Sequence, residues 1–297
     1  MKLLVEEETN ERLDKYISQK TDISRSLILK MLKDDFILVN QKKEKPSYRV
    51  ELNDTIDIKD GYIKEINIEP KKMDLNIVYE DNDLIVIDKP SGLVVHPGAG
   101  NYDNTLVNGL MYYTDDLSIG TDENRPGIVH RIDKDTSGLI LISKNNKTQE
   151  LLSDMFAKHT IKREYIALVH GVLESDKAII DAPIGRDKND RKKMSVTANN
   201  SKKAITHLTV LKRYKKFTLV KLNLETGRTH QIRVHMKYIK HPIYNDPVYS
   251  NDNATEFGQF LHSYKMSFVH PITKKELSFT SKLPKEFEDF INSLEEL

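Results

Sequence analysis

The longest uninterrupted run of hydrophobic residues in this chain has only five members, Tyr165 to Val169. Shorter runs of four include Leu84 to Ile87 and Leu139 to Ile142, which consist of leucine, isoleucine and valine. Runs of this length, bounded by turn residues, are typical of buried strands, whereas a membrane-spanning helix needs about 20 apolar residues. We therefore expect a sheet-containing fold, and we expect no segment to cross a membrane.

Residues 10–58 are expected to form a small α/β domain. Hydrophobic residues recur at helical spacing from Leu13 to Ile17 and from Leu27 to Leu32, and Ser24 can cap the second helix. Strands are expected after these helices, over Phe36–Val39 and within Val50–Ile58. Residues 59–75, which are rich in Lys and Glu and contain Pro70, are interpreted as a linker.

The second domain is expected to span residues 76–297. Strand and helix patterns intermix there without regular alternation, which favours an α+β fold with a mainly antiparallel sheet flanked by helices. The expected strands are Leu84–Ile87, Leu93–Val95, Leu139–Ile142, Glu164–Val169, Ala204–Leu211 and Leu219–Leu224. The expected helices are Thr105–Tyr113, Thr148–His159, Thr229–Lys240 and an amphipathic closing helix within Phe287–Leu297.

Charge is balanced overall but concentrated locally. The 297 residues carry 46 basic and 45 acidic side chains, a net charge of +1. Residues 184–216 hold 11 basic and two acidic side chains, a net charge of +9, and the usual partner of such a segment is a phosphate backbone. The candidate RNA contacts in it are Lys192, Lys193, Lys202 and Lys203. A solvated lysine surface without function is the alternative.

The absence of cysteine excludes a disulfide framework, a thiolate nucleophile and a cysteine-based zinc site. Glu6, Glu7 and Glu8 interrupt the N-terminus and leave no room for a secretory apolar stretch. These features together indicate a cytoplasmic protein.

Chemistry-bearing residues are densest between Gly127 and Gly138, where a polar loop enters an apolar strand. Such a loop is costly to bury unless it serves a site. Asp133 and Asp135 form a candidate carboxylate pair there, and His130 is a candidate base. A turn-forming aspartate and a structural histidine are the alternatives.

Arginine is the second signal, because the chain uses 35 Lys but only 11 Arg. Four of the 11 lie in the densest motifs, and they are Arg131, Arg163, Arg228 and Arg233. Arginine is favoured where carboxylate or phosphate is recognised in a planar, bidentate way. His230 and His235 accompany two of them, but a spacing of five does not suit a helical metal pair.

Several common catalytic motifs are missing from the chain. It contains no phosphate-binding P-loop, no dinucleotide fingerprint and no Gly-x-Ser-x-Gly nucleophile motif. A carboxylate close to arginines remains, which suits covalent or acid–base chemistry by aspartate on a substrate that carries phosphates.

These motifs resemble the signatures of the RluA family of pseudouridine synthases. His130-Arg-Ile-Asp133 followed by Thr136-Ser-Gly138 resembles its central signature, and Lys89-Pro-Ser-Gly92 resembles its first motif. Arg163-Glu-Tyr165 and Thr226-Gly-Arg-Thr-His-Gln-Ile-Arg233 resemble its two remaining motifs. Ile132 replaces the commoner leucine, and Asn245-Asp-Pro247 replaces Gly-Asp-Pro, changes that we expect to be tolerated.

The resemblance implies isomerisation of uridine to pseudouridine within RNA, without a cofactor or metal because the product is an isomer of the substrate. It implies Asp133 as the catalytic carboxylate, Tyr165 as the residue that packs on the base, and Arg233 as the partner of Asp133. Arg131 is implied to occupy the stack that the uridine leaves. The remaining predicted substrate contacts are His130, Thr136, Arg228 and Lys89.

The first domain resembles an S4 RNA-binding domain in Arg12-Leu-Asp-Lys-Tyr16 and Ile23-Ser-Arg-Ser26. Arg25, Lys30 and Lys33 are its candidate RNA contacts. An S4 domain ahead of this catalytic domain implies large-subunit ribosomal RNA, or the pre-ribosomal large subunit, as partner. The stretch from His96 to Asn101 most resembles the RluD branch, which acts on the helix 69 stem-loop.

Two alternatives remain open from the sequence. The same chemistry could act on other rRNA or tRNA uridines, or the chain could be an RNA-binding ribosome assembly factor. Nothing in the sequence demands more than a monomer.

Overall fold

The computed structural model describes the chain apart from residues 22, 24, 60–67, 99–100, 102, 120–124 and 191–192, together with the side chain of Ser26. Two compact units divide at Glu65 and Ile66, inside the predicted linker 59–75. The later part of that segment is docked rather than free, because Asn108 donates to the carbonyl of Glu69 at 2.8 Å and accepts from the amide of Lys71 at 3.0 Å. The predicted cap Ser24 lies outside the described residues.

The first unit pairs two helices with a three-stranded sheet. Its elements are β1 (Lys2–Leu4), α1 (Leu13–Lys20), α2 (Arg25–Lys33), β2 (Ile37–Val39) and β3 (Thr55–Ile58). The antiparallel strand order is β1-β3-β2, so the unit begins before the predicted start at residue 10. Leu13, Ile17, Ile28 and Ile56 are fully buried between the helices and the sheet, as the helical spacing predicts.

The second unit is built on a nine-stranded mixed sheet, which confirms the predicted α+β class. The strands are β4 (Ile77–Glu80), β5 (Leu84–Lys89), β6 (Ser137–Ser143), β7 (Lys162–His170), β8 (Lys177–Asp181), β12 (Ile205–Arg213), β13 (Phe217–Leu224), β14 (Leu261–Val269) and β15 (Glu276–Thr280). Their order is β4-β5-β6-β14-β7-β13-β12-β8, with β15 paired to β14. Among these described strands, β6 and β14 pair in parallel and the other pairs are antiparallel.

Three shorter strands make a separate small sheet from the basic segment. They are β9 (Ile184–Arg186), β10 (Met194–Val196) and β11 (Ser201–Lys202), in the order β10-β9-β11. Ile184 is buried with Val234 and Tyr249 in a small apolar cluster, and Met194 packs against it. We call residues 184–203 the basic hairpin.

Within the described residues, the second unit has four helices, namely α3 (Leu106–Tyr113), α4 (Asn146–Ala157), α5 (Gln231–Tyr238) and α6 (Lys285–Asn292). Thr105 and Asn108 form a capping box on α3, and Asn145 caps α4 by accepting from the amide of Thr148 at 2.9 Å. Such side chains satisfy amides that have no partner within the helix. Among the described residues, no helix is both long enough and apolar enough to cross a membrane.

One predicted strand, Leu93–Val95, is wrong. The carbonyls of Val94 and Val95 accept from the first two amides of α3, those of Leu106 and Val107. The segment therefore forms hydrogen bonds with the N-terminus of α3 and is not a strand of a sheet.

Close approach of β6 and β14 depends on a glycine. Gly138 has φ +103°, and a Cβ at this position would lie 2.4 Å from the carbonyl oxygen of Ser263. Only glycine fits this contact. It places the loop before β6 beside β14 and, one strand further, β7.

Candidate active site

A cavity of about 510 Å³ opens where the loop before β6, strand β7 and the turn before α5 meet. Its volume lies in the usual range of ligand sites. Polar residues that line it include Arg131, Asp133, Arg163, Tyr165, Arg228, His230 and Arg233. The polar loop, the aromatic strand and the arginine-rich turn singled out in the sequence therefore converge on one site.

The loop that carries Asp133 is fixed by residues of the first motif. Lys89 donates from Nζ to the carbonyls of Pro90, Leu93 and Lys134, at 2.8, 2.9 and 2.8 Å. Ser91 donates to the carbonyl of Asp135 at 3.0 Å. Lys89 is fully buried and is not among the cavity-lining residues. Contact of Lys89 with substrate stays a prediction, and the hydrogen bonds that it makes fix the loop that carries Asp133.

Asp133 and Arg233 form an ion pair at the base of the cavity, with Nη1 of Arg233 2.9 Å from Oδ2 of Asp133. Only 19% of the Asp133 side chain and 5% of the Arg233 side chain are exposed. The other edge of the guanidinium donates to Asp246, from Nε at 2.7 Å and from Nη2 at 2.8 Å. This two-sided contact fixes the plane of Arg233 and aims it at Asp133.

Asp246 is the functional residue that sequence reasoning misses, because its motif reads only as a turn. Its carboxylate also accepts from the amides of Val248 and Tyr249, at 2.8 and 3.0 Å. The side chain is completely buried. A buried aspartate is costly unless it is paired. In the sequence, the Asp-Pro step in an otherwise polar loop was the signal that could have pointed to Asp246.

The electrostatics keep Asp133 ionised. Burial acts to raise the pKa of Asp133, but the protonated form of His230, together with Arg233 and Arg131, outweighs it and holds that pKa below its ordinary value. The neighbouring Asp135 differs, because burial raises its pKa. The two carboxylates are therefore not an equivalent pair, and Asp133 is the one beside the arginines.

Tyr165 lies on β7, where it is directly opposite Ser263 of β14 in the ladder. It is 5% exposed and lines the cavity beside Asp133. Burial raises the pKa of Tyr165, so the phenol keeps its proton at neutral pH. The position agrees with its predicted packing against a base.

Two arginines reach the open side of the cavity. Arg131 is exposed, and its Nη1 lies 3.1 Å from Nε2 of His96. Arg228 is half-buried and donates from Nε to the carbonyl of Lys203 at 2.9 Å. The turn that carries Arg228 is fixed by Gln231, which accepts from the Arg228 amide at 3.0 Å. Both arginines line the cavity, and their contact with RNA stays a prediction.

His130 and Thr136 line the cavity, but their side chains make contacts within the protein. Nε2 of His130 accepts from the amide of Leu141 at 2.8 Å, and burial lowers the pKa of His130 to about 3. The ring is therefore neutral and unsuited to act as a base. Thr136 accepts from Nε2 of Gln259 at 3.0 Å. Contact of either residue with substrate stays a prediction.

The predicted RNA contacts of the first unit lie on α2. Arg25 donates to Asp14 at 2.7 Å, and Arg25 with Arg12 holds the pKa of that carboxyl below its ordinary value although burial acts to raise it. Arg25 therefore has a structural partner as well as an exposed surface. Lys33 is exposed, and Lys30 is partly buried.

The basic hairpin carries the remaining predicted RNA contacts. Lys202 and Lys203 are exposed, and Lys193 lies 3.8 Å from Asp190. Lys192 lies outside the described residues. The described lysines are accessible, so a phosphate backbone can reach them.

One other cluster of potential ligands, formed by Asp81, Asp83 and His270, has distances suited to a metal ion. Nδ1 of His270 accepts from the amides of Ile272 and Thr273, at 3.1 and 3.0 Å. The proton of the ring therefore sits on Nε2, which faces Asp81 at 3.0 Å. Since that nitrogen has no lone pair to offer, this arrangement is not a metal site.

Comparisons with known proteins identify the class of enzyme. The model of the RNA pseudouridylate synthase family matches residues 83–238, and the S4 domain model matches residues 11–56. The chain belongs to this family of RNA pseudouridine synthases and carries an S4 domain, as the sequence motifs indicate.

The similarity extends over almost the whole chain. YlyB of Bacillus subtilis (strain 168), an uncharacterized RNA pseudouridine synthase, is 45% identical over 97% of this chain and 96% of its own. Ribosomal large subunit pseudouridine synthase D of Neisseria meningitidis serogroup B is 39% identical over 95% of this chain and 78% of its own. Human RNA pseudouridylate synthase domain containing 1 shares the fold, with a TM-score of 0.59 at 22% identity, over 77% of this chain and all of its own.

Proposed function

We propose that this enzyme converts uridine to pseudouridine in large-subunit ribosomal RNA, with Asp133 as the catalytic carboxylate. The observation that carries the proposal is the ionised Asp133, paired with Arg233 at 2.9 Å in a cavity that Tyr165 lines. An anionic oxygen held in this way can attack or abstract a proton without first losing its own proton.

The chemistry breaks the C1′–N1 glycosidic bond and forms a C1′–C5 bond to the same ribose. The detached uracil turns within the cavity. After the new bond forms, C5 loses its proton and N1 takes one up, so the product is an isomer of uridine. Because Arg233 is held by Asp246, the carboxylate keeps its orientation while the base turns. Tyr165 provides an apolar face for the base beside the carboxylate.

A uridine within a stacked RNA must leave its stack to reach Asp133, at a cost of roughly a few kcal/mol. Arg131 and Arg228, at the open side, are placed to offset that cost through contacts with the RNA. The accessible lysines of the basic hairpin add phosphate contacts that do not depend on sequence.

The target is proposed from the relatives. Ribosomal large subunit pseudouridine synthase D of Escherichia coli O6:H1 is 37% identical over 96% of this chain and 91% of its own. Large-subunit rRNA is therefore the proposed substrate, and the resemblance to the RluD branch favours the helix 69 stem-loop. The cytoplasmic location and the monomeric state stay predictions.

The test is a map of pseudouridines across total RNA from cells with and without the gene, complemented with wild type or with Asp133→Asn. We expect specific large-subunit sites to disappear in the deletion and to return only with wild type. Purified Asp133→Asn should bind the target RNA with a Kd close to that of wild type. Restoration of the sites by Asp133→Asn would show that this carboxylate is not the catalyst.

A further inference from the structure

His230 lies next to Asp133 in the cavity, and its two ring nitrogens have different surroundings. Nδ1 lies 2.8 Å from the hydroxyl of Tyr249, and Nε2 lies 3.9 Å from Oδ1 of Asp133. The second distance is too long for a hydrogen bond. In the described part of the chain, no side chain or carbonyl is therefore hydrogen-bonded to Nε2 of His230.

The hydroxyl of Tyr249 decides where the proton of His230 sits. This oxygen accepts from the amide of Met194 in β10 at 2.8 Å. A backbone amide can only donate, and among the described residues Nδ1 of His230 is the one acceptor within hydrogen-bond distance of this hydroxyl, so the hydroxyl proton is directed at Nδ1. Burial holds the pKa of His230 below its ordinary value although Asp133 acts to raise it, which makes the ring neutral at physiological pH. The neutral ring therefore carries its proton on Nε2.

The backbone keeps this nitrogen directed at the site. His230 precedes α5 with φ 57° and ψ 18°, a left-handed conformation that is uncommon for a residue other than glycine. Tyr249, which anchors the ring, is itself 4% exposed and packs against Arg233 and Lys237 by cation–π contacts. Tyr249 therefore holds the imidazole through Nδ1, and the Nε2–H faces the cavity.

Breaking the C1′–N1 bond leaves the bonding electron pair on N1 of uracil, and the negative charge spreads to the carbonyl oxygens O2 and O4. We propose that His230 is a further catalytic residue of this enzyme, which donates its Nε2–H to the uracil anion released beside Asp133, and that Tyr249 positions it through Nδ1. No proton is transferred in this step. The hydrogen bond strengthens as charge develops, which is the condition for a donor to lower a barrier. This inference rests on the proposed function.

The first test measures the tautomer directly and needs no substrate. In protein labelled with ¹⁵N-histidine, we expect the His230 resonances to show a protonated Nε2 and an unprotonated Nδ1 at neutral pH. His230→Gln identifies the signals by their loss. Tyr249→Phe should remove the preference for this tautomer, whereas Tyr214→Phe, at a buried tyrosine outside the cavity, should leave it unchanged. A protonated Nδ1 in wild type would overturn the proposal.

The second test measures single-turnover pseudouridine formation on unmodified large-subunit rRNA at saturating enzyme. Removing one such donor should slow His230→Ala about 100-fold, with the Kd for RNA within about threefold of wild type. His230→Gln keeps an N–H donor near the Nε2 position and should recover part of the rate. Tyr249→Phe should slow the reaction about tenfold in the wild-type background and less than twofold in His230→Ala, because it acts through His230.

The outcomes separate this inference from the proposed function. If wild type forms no pseudouridine in any RNA, the proposed function fails. If wild type is active and His230→Ala retains a rate within threefold of it, the role of His230 fails alone. A slow His230→Ala variant with a weak Kd and no recovery in His230→Gln would assign the residue to folding or RNA binding and would also overturn the proposal.

Discussion

One guanidinium that serves two carboxylates organises the chemistry of the site. Arg233 contacts Asp133 through Nη1 and Asp246 through Nε and Nη2. The planar fork of arginine can make these contacts at once, whereas the ammonium group of lysine is a point charge. The position of Asp133 is therefore set through Arg233 by Asp246, a buried residue that does not line the cavity.

Arg233→Lys should retain the charge near Asp133 but lose its orientation. We expect the single-turnover rate to fall about 100-fold, the loss typical of a misplacement of about 1 Å, with little change in the Kd for RNA. Arg213→Lys is the matched control, because Arg213 pairs with the exposed Asp176 away from the cavity. A rate within threefold of wild type would show that charge alone suffices.

The lowered pKa of Asp133 also predicts how stability depends on pH. A carboxyl with a folded-state pKa below its unfolded value, about 3.9, stabilises the fold above that value, and this contribution is lost as the pH falls through the folded pKa. Wild type should therefore lose free energy of unfolding relative to Asp133→Asn as the pH falls below about pH 4.

Urea denaturation of wild type and Asp133→Asn across this pH range measures the effect. Asp116→Asn, at an exposed position, is the matched control. A difference between wild type and Asp133→Asn that stays constant across this pH range would contradict a lowered pKa for Asp133.

At the scale of elements, the parallel contact between β6 and β14 holds the catalytic loop beside β7. A Cβ on Gly138 would enter the backbone of Ser263, and the φ of +103° disfavours any side chain. Strand β14 would have to move, and Tyr165 on the adjacent strand would lose its position. The glycine of the central motif is therefore a packing requirement.

Gly138→Ala should reduce the free energy of unfolding by about 1–3 kcal/mol, the usual cost of overpacking, or more. Equilibrium urea denaturation is the measurement. Gly98→Ala is the control, because no heavy atom lies within 4 Å of a Cβ built there, and it should change stability by less than about 0.5 kcal/mol. Equal stability of the two variants would show that the strands can separate without cost.

The basic hairpin belongs to the same scale. Replacing Lys192, Lys193, Lys202 and Lys203 by Gln should weaken RNA binding and flatten its dependence on salt, by up to about 0.7–0.9 in log–log slope for each phosphate that is no longer neutralised. A second variant with Gln at four exposed lysines outside the cavity lining, Lys147, Lys177, Lys275 and Lys285, is the control. An unchanged slope in the first variant would assign the hairpin lysines to the solvated surface.

Hydrophobic patterning predicted strands with continuous apolar runs, such as β6 and β7, and missed strand β14. In that strand, His262 and Ser263 are both fully buried. Their side chains are satisfied by Ser137 at 2.9 Å and by the carbonyl of Leu139 at 3.0 Å. These partners are more than 100 residues away in the sequence, so no local pattern could reveal them.

In the site as well, sequence patterns reveal some residues but not the contacts between residues that are distant in the sequence. Asp133, Tyr165 and Arg233 were found through family motifs, and they do converge on one cavity. The roles of Lys89 and Asp246 depend on contacts across the fold, with the loop around Lys134 and with Arg233. A motif identifies residues that belong together, but only the folded chain shows which of them touch the substrate cavity and which support it.

At the scale of the whole molecule, the two units have separate hydrophobic cores. All residues that line the cavity, Val129 to Leu261, belong to the second unit. The chemistry is therefore expected to reside in residues 66–297, with the S4 domain adding RNA affinity.

A chain that starts at Ile66 should unfold cooperatively and retain, within about threefold, the single-turnover rate at saturating RNA. Its Kd for the target RNA should be weaker than that of the full chain, because the contacts predicted for Arg25, Lys30 and Lys33 are removed. Thermal unfolding, followed by binding and rate measurements, provides the check. A folded but inactive fragment would place part of the catalytic machinery in the first unit.

The contact between Tyr249 and the amide of Met194 has one more consequence. Through Tyr249, this contact joins strand β10 of the basic hairpin to the imidazole of His230 beside Asp133. Because linked equilibria are reciprocal, an RNA that stabilises this contact is expected to stabilise the positioned imidazole as well, and an RNA that breaks the contact is expected to lose that position. A transcript that binds the basic hairpin without preserving this contact is therefore expected to be modified slowly.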